Sequence, residues 1–412
     1  MSSIEPMEPF FKEIKEPKEL AMTGNYAVAG GVTQTDPDIV CAFPITPQTQ
    51  SVEGLSDVVY HGRLKTAFVN VESELAAMSF STGACASGAR TFTATASQGY
   101  MLMMEALPMA VGWRVPLTML ISARAFNAPN LSIWNAWEFT LADIGWNVIV
   151  AENVQETYDN AIISLMIAEK TLFPTMFVHD GFIISHAVHK FMALADEQVR
   201  KLTPQLDRHT ITPEKPGLWG SLVTPEQLME QRLAIDLDKK KVPPKIDEAF
   251  KEFEKETGRK YEQIETYKCE GAKTAIITMG SVCGNIISWQ KKNPDVGLIK
   301  LKIYRPFPLL ELRKLIEDFG IEKIAVLEKF DAPGAPIAQL GASVIPAIYP
   351  LGIPIKDFIA GYGGRDVTRD EFNLIKKKME KLTGIPDQLY QFIGVREKSD
   401  KMWSPDPMEV PK

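Results

Sequence analysis

Four short segments carry side chains whose types and spacing could do chemistry. Phe43-Pro44-Ile45-Thr46-Pro47-Gln48-Thr49 follows an apolar run directly. Its two prolines stiffen the loop and remove two backbone donors, while Thr46 and Thr49 offer hydroxyls to a small ligand. An ordinary strand-to-helix turn is the plainer alternative. Val71-Glu72-Ser73-Glu74 opens a helix that continues through small residues, Ala76, Ala77, Ser79, Ser81 and Gly83. Successive helical residues point ~100° apart, so the two acids face different ways. One meets the positive helix end; the other is left for the sheet end, where a partly dehydrated carboxyl can hydrogen-bond a heteroaromatic nitrogen and shift its protonation. Simple capping by both remains open. Thr93-Ala94-Thr95-Ala96-Ser97-Gln98-Gly99 ends a strand in a small polar turn, whose free N–H groups either receive an anion or amide or are capped by Ser97. In Ile121-Ser122-Ala123-Arg124-Ala125 a guanidinium stands just past a buried strand. It is placed to fork onto a carboxylate, or to serve as a paired structural arginine.

Other candidates weigh less. His179-Asp180-Gly181, His186 and His189 lack a carboxylate at metal-ligand spacing and read as structural histidines. Gly361-Tyr362-Gly363-Gly364-Arg365-Asp366 is too short for a dinucleotide fingerprint. Cys41, Cys85, Cys269 and Cys283 are far apart, so buried reduced thiols are expected rather than a cluster site, and no metal site is assigned to this chain.

The elements that must position these residues alternate. Apolar, β-branched runs at 39–43, 66–71, 91–96, 117–122, 147–151 and 175–179 predict strands covered on both faces. Helical stretches are predicted at 26–33, 72–83, 100–111 and 155–170. The pattern is that of an α/β, doubly wound parallel sheet with sites at the carboxyl ends of its strands. A Pro-rich, charged stretch follows, with an amphipathic helix near 246–257. Strands at 274–278, 297–301, 324–327 and 355–359 and helices at 282–292, 309–318 and 337–348 then predict a second α/β domain. The division expected is an N-terminal extension over 1–20, a first domain over 21–200, a linker and bridging helix over 201–262, a second domain over 263–395 and a tail over 396–412.

Composition bounds the class. The chain has 412 residues, 45% hydrophobic and 24% charged, which suits a globular protein of two domains. Acidic residues number 52 against 45 basic, a net charge of -7, which gives no support to a nucleic-acid surface. With no run of ~18 apolar residues and no secretory pattern at its start, the chain is expected to be cytoplasmic.

Taken in order, Thr23-Gly24-Asn25, Phe43-Pro-Ile-Thr-Pro-Gln-Thr49, Val71-Glu-Ser-Glu74, Thr91-Phe-Thr-Ala-Thr95 with Ser97-Gln98-Gly99, and Asp180-Gly181-Phe182 with Ser185-His186 resemble one family. It is the alpha subunit of the 2-oxoacid:ferredoxin oxidoreductases, pyruvate synthase type. Met279-Gly280-Ser281, Tyr304-Arg305-Pro306-Phe307-Pro308 and Gly363-Gly364-Arg365-Asp366-Val367-Thr368 extend the resemblance to the second domain, so that it covers roughly residues 20 to 395. It implies a first domain that binds the aminopyrimidine half of thiamine diphosphate and a second like the transketolase C-terminal domain. Glu74 matches the family's catalytic glutamate, which hydrogen-bonds the pyrimidine nitrogen and promotes loss of the reactive-carbon proton. Pro44, Ile45, Ser97 and Gln98 border the cofactor, and Thr46 and Arg124 meet the substrate carboxylate. The implied reaction is oxidative decarboxylation of a 2-oxoacid to an acyl-coenzyme A and carbon dioxide, with electrons passed singly to iron–sulfur clusters.

The chain contains no Gly-Asp-Gly segment of the kind that holds Mg²⁺ and the diphosphate in thiamine enzymes. The resemblance therefore implies partners: a beta subunit with the Mg²⁺ and diphosphate half, a gamma-type subunit, and a ferredoxin-like subunit bearing [4Fe-4S] clusters, joined as a dimer of hetero-oligomers. One stretch departs from the family. After Ser132-Ile133-Trp134, where pyruvate-type members have an Asp-His-Gln-Asp-like run, this chain has Asn135-Ala136-Trp137-Glu138-Phe139. Trp137 and Phe139 are thus expected in a larger, apolar substrate pocket suited to an aryl 2-oxoacid such as phenylglyoxylate. Glu328-Lys-Phe-Asp-Ala-Pro-Gly334 departs as well. A non-redox thiamine enzyme, of transketolase or decarboxylase type, and a non-catalytic scaffold subunit are the alternatives.

Overall fold

The computed structural model describes residues 6–126, 131–141 and 143–396. Its strands, in chain order, are β1 (Lys18–Thr23), β2 (Ile39–Ala42), β3 (Ala67–Asn70), β4 (Thr91–Ala96), β5 (Thr118–Ala123), β6 (Asn147–Val150), β7 (Thr175–Asp180), β8 (Val188–Ala193), β9 (Ile264–Tyr267), β10 (Thr274–Thr278), β11 (Val296–Leu301), β12 (Ile303–Arg305), β13 (Lys323–Glu328), β14 (Ile355–Ile359) and β15 (Tyr390–Phe392). The first sheet has the order β12-β6-β7-β5-β4-β2-β3 and the second β15-β14-β13-β10-β11-β9, while β1 and β8 form a separate antiparallel ribbon. Only the edge strands β12 and β9 run antiparallel to their neighbours. Every residue of β4, β5, β6 and β7 is buried, which is why these strands read as unbroken apolar or small-residue runs.

The helices that carry the crest of the first sheet start where short polar side chains cap them. Thr23 caps the helix Gly24–Gln34, Ser73 the helix Glu74–Ala86 and Asn153 the helix Val154–Thr171. The single helix expected over 100–111 is instead Ser97–Leu102, a 3₁₀ turn at Met103–Glu105, and Leu107–Gly112, with Pro108 entering the last piece near its start. The Pro-rich stretch holds two helices rather than one. Val242–Thr257 buries Ile246, Ala249, Phe250 and Phe253, whereas Pro225–Lys239 buries no residue fully.

The two sheets are not separate in space. β12 follows β11 after one residue yet pairs with β6 on the first sheet, and one buried apolar cluster runs through both sheets. Lys300 and Lys302, which flank that crossing, are buried and meet Glu152, Glu156 and Glu265 at 2.6–3.0 Å. Burial pushes Glu156 up, but Lys302 and Lys300 outweigh it and hold the carboxyl at about 2. No described helix is long and apolar enough to cross a membrane.

Candidate active site

Because β2, β3, β4, β5 and β7 are parallel neighbours, their carboxyl ends bring the segments 43–49, 71–74, 97–99, 124–126 and 180–186 to one crest. Cross-links between the loops are direct. Asn25 donates to the Pro47 carbonyl at 2.7 Å, and the Gly181 N–H donates to the Ala123 carbonyl at 2.9 Å. A Cβ on Gly181 would stand 2.4 Å from that carbonyl oxygen and 2.8 Å from the Pro47 ring, so the loops close only on a glycine.

The two acids divide, though not by helical spacing: Ser73 caps the helix, Glu72 lies before it and Glu74 opens it. Glu72 is exposed, while Glu74, the first residue of its helix, is 5% exposed. The Glu74 side chain lies against Gly99 and Thr95: a Cβ at position 99 would sit 2.7 Å from Glu74 Oε1, 2.6 Å from its Cγ and 2.2 Å from Thr95 Oγ1. Among the described residues the Glu74 carboxylate takes no hydrogen bond and no ion pair. A buried carboxylate left in that condition is expensive to maintain in a core and is expected where a ligand supplies the partner.

Arg124 is 6% exposed and its backbone N–H is hydrogen-bonded. Its N–H donates to Ser97 Oγ at 3.0 Å and its Nη1 to the Thr46 carbonyl at 2.6 Å. Gln98 Nε2 donates to the Ala125 carbonyl at 2.7 Å, Ala125 N–H to the Trp134 carbonyl at 2.8 Å, and Phe126 N–H to Glu138 Oε1 at 2.9 Å. Burial draws the guanidinium below its usual range, and Glu138 and Glu74 oppose that by their charge. The structure thus brings Glu74, Ser97, Gln98, Arg124 and the 43–49 loop together, with Pro44 and Thr46 exposed, Ile45 half-buried and Ser97 buried.

Trp137 and Phe139 go elsewhere. Both are buried; the Trp137 indole N–H donates to Asp180 Oδ1 at 2.9 Å, and Phe139 stands edge-on to Tyr304 at 6.0 Å. Asp180 Oδ2 also accepts from Lys329 at 2.9 Å and from Ser281 N–H at 3.1 Å. Both rings pack at the seam between the two sheets, where their hydrogen-bonding and packing partners lie. The ring that reaches the surface is Trp134, 49% exposed, packed on Phe182 at 4.5 Å.

His179 is buried between Ser122 Oγ at 2.5 Å and Thr157 Oγ1 at 2.9 Å, and burial pulls it down to about 3. No group of three or more potential ligands among the described residues could hold a metal, and all four cysteines are buried and free. The glycine turn at 361–364 docks on the seam, where Gly364 N–H donates to the Asn135 carbonyl at 3.0 Å and a Cβ would strike Trp134 at 2.7 Å.

Comparison with known proteins decides the family. Residues 30–251 match the pyruvate flavodoxin/ferredoxin oxidoreductase, thiamine diphosphate-binding family, and residues 272–372 match pyruvate:ferredoxin oxidoreductase core domain II. The chain belongs to the pyruvate flavodoxin/ferredoxin oxidoreductase family. It is 40% identical over 378 residues to the pyruvate synthase subunit PorA of Pyrococcus furiosus, covering 88% of this chain and 93% of that one. It is 36% identical over 377 residues to the ketoisovalerate oxidoreductase subunit VorA of Pyrococcus horikoshii, covering 89% and 95%. In fold it is similar to 2-oxoglutarate:ferredoxin oxidoreductase from Magnetococcus marinus (TM-score 0.68, 19% identity), over 89% of this chain and 66% of that one. A split-gene transketolase has the same fold more distantly, with TM-score 0.51 and 12% identity over 87% and 97% of the two chains.

The crest fits the family's cofactor. It offers a buried, unpartnered carboxylate beside a glycine, and further buried polar atoms there lack partners: Gln48 Oε1, Gln98 Oε1, Arg124 Nε, both amide atoms of Asn135, and Glu138 Oε2. Asn135 and Glu138 are not separable by residue type from the rings Trp137 and Phe139 beside them in this oxidoreductase subunit. Their departure from the family pattern was the available signal.

Proposed function

We propose that this chain is the alpha subunit of a thiamine diphosphate-dependent 2-oxoacid oxidoreductase that converts a 2-oxoacid and coenzyme A to acyl-coenzyme A and carbon dioxide. The observation that carries the reading is the Glu74 carboxylate, buried and without a partner against Gly99. Thiamine diphosphate, when bound, supplies the electron sink for decarboxylation. Glu74 holds a proton at the pyrimidine nitrogen and orients the ring; Pro44, Ile45, Ser97 and Gln98 border it. Arg124, with its guanidinium drawn toward the 43–49 loop by the Thr46 carbonyl, receives the substrate carboxylate, and Thr46 adds its hydroxyl. Partner chains carry the rest: a beta subunit with Mg²⁺ and the diphosphate half, a gamma-type subunit, and a ferredoxin-like subunit whose [4Fe-4S] clusters take the electrons, in the cytoplasm. The domain limits 21–200 and 263–395 belong to the same proposal.

Pyruvate-like acids are the substrate class this reading favours, since Trp137 and Phe139, the basis for an aryl 2-oxoacid, are committed to the interior. The test is the co-purified complex assayed for viologen-dye reduction with pyruvate and coenzyme A, beside calorimetry of the isolated chain with thiamine diphosphate and Mg²⁺. Coenzyme A-dependent reduction by the complex is expected, with no tight binding by the chain alone. Dye reduction that ignores coenzyme A, or stoichiometric tight binding to the lone chain, overturns the assignment.

A further inference from the structure

Glu138 lies at the crest, and the reaction as assigned above makes no use of it. It is 0% exposed. Its Oε1 accepts from Phe126 N–H at 2.9 Å and from the Tyr362 hydroxyl at 3.2 Å, while its Oε2 has no partner among the described residues. Phe126 is two residues beyond Arg124, and Tyr362 belongs to the loop that follows β14 of the second sheet. One oxygen therefore ties the strand end that carries Arg124 to the opposite sheet. Asn135, three residues earlier, is buried with both amide atoms unpartnered and receives Gly364 N–H on its carbonyl.

We propose that Glu138 is a positioning residue for substrate selection: it fixes the stretch bearing Arg124 without competing for the guanidinium's charge. This rests on Arg124 receiving the substrate carboxylate. The charged and titratable groups facing Glu138 are Arg124 after β5, Asp331 after β13 and Tyr362 after β14; Glu74 faces Arg124 from the helix after β3. An ionised acid at 138 would add a negative charge near the guanidinium, offsetting part of its pull on the substrate and repelling an anionic substrate. Burial instead pushes the carboxyl up to about 8, against the Phe126 N–H and the Tyr362 hydroxyl, so the acid keeps its proton at neutral pH. The positive charge is then left for the 2-oxoacid.

The experiment uses the assembled complex, with pyruvate as the probe, and measures KM and kcat from pH 6.5 to 9.5, a range of roughly 1.5 units either side of that ionisation. In the wild type, KM should rise about tenfold as Glu138 ionises, with kcat little changed. Glu138→Gln keeps an acceptor for both donors and cannot ionise, so its KM should stay flat over the same range. Tyr362→Phe removes a donor that favours the ionised form, so the rise should move to higher pH. An independent readout is the infrared difference between wild type and Glu138→Gln. A buried carboxylic-acid band should be present at neutral pH and vanish on the same titration. A parallel KM rise in Glu138→Gln, or no such band, overturns the proposal. Arg124→Lys separates the two levels. If its KM for pyruvate is unchanged, the Arg124 reading falls and this proposal with it; if its KM rises while Glu138→Gln tracks the wild type, only Glu138 loses its role.

Discussion

Two buried polar regions of this chain are built on opposite terms. At the crossing between the sheets, Lys300 meets Glu152, Glu156 and Glu265, Lys302 meets Glu156 and lies over the Tyr261 ring at 4.1 Å, and Asp159 takes Arg259 at 2.8 Å and the Tyr261 hydroxyl at 2.6 Å. Each carboxylate there has a donor. At the crest of the first sheet, Glu74, Gln98, Glu138 and Asn135 are buried or nearly so with oxygen or nitrogen atoms left over. Satisfied buried charge locks two elements in register. Unsatisfied buried polarity costs free energy with nothing returned by the fold, and such sites persist where a ligand completes them.

Glu74→Gln should break the crest most severely. The substitution keeps shape and volume and removes the carboxylate, so kcat for dye reduction should fall by about 10²–10⁴-fold. Thermal unfolding and subunit assembly should be unchanged, because no intramolecular partner is lost. Activity within a few-fold of wild type would move the catalytic acid away from this helix start.

Lys300→Met should do the reverse. Three carboxylates lose their shared counter-charge, and removing one partner of a buried pair costs about 3–5 kcal/mol, read as a drop in urea midpoint of the complex. Turnover per folded molecule should persist. The pH dependence sharpens it. Glu156 sits below its ordinary value, at about 2 against 4.5, so its stabilisation is full above pH ~4.5 and fades as pH falls toward 2. The gap in stability between wild type and variant should therefore be widest above pH ~4.5 and narrow as pH falls toward 2.

The same contrast explains what the sequence could disclose. β4, β5 and β7 are buried on both faces, so runs of apolar and small residues mark them, whereas Glu74 is singled out from Glu72 by the family resemblance, since Glu72 lies outside the helix. By contrast β12 is three residues long, and the helix Pro225–Lys239 buries nothing fully, so neither carries a hydrophobic period to read. Lys300 and Lys302 look like solvated strand charges until Glu152 and Glu156, about 150 residues earlier, are folded over them. Glu138 was passed over for a related reason. Its meaning lies in Phe126 and Tyr362, and the second of these is contributed by the other sheet.

Arg124→Lys tests the crest at intermediate strength. Lysine keeps the charge and loses the fork, so a carboxylate partner forfeits one charge-assisted hydrogen bond of about 1.5–3 kcal/mol. KM for pyruvate should rise by roughly 10- to 100-fold, since 1.4 kcal/mol is tenfold, while kcat falls less. An unchanged KM would put the substrate carboxylate elsewhere.

The smallest effect is the most discriminating, because it concerns a residue that sequence and structure assign to different regions. Trp137→Phe keeps a large ring in the seam and removes one donor from Asp180, whose carboxyl still holds Lys329 and Ser281. If Trp137 belongs with the satisfied network, the loss is one hydrogen bond among several, about 1 kcal/mol of stability. The ratio of kcat/KM for pyruvate over phenylglyoxylate should then not move. If the indole instead lined the substrate pocket, shortening it would shift that ratio while stability stayed constant. Measuring both quantities on one variant places the ring on one side of the comparison or the other, since a buried donor to Asp180 and a wall for an aryl group predict opposite pairs of outcomes.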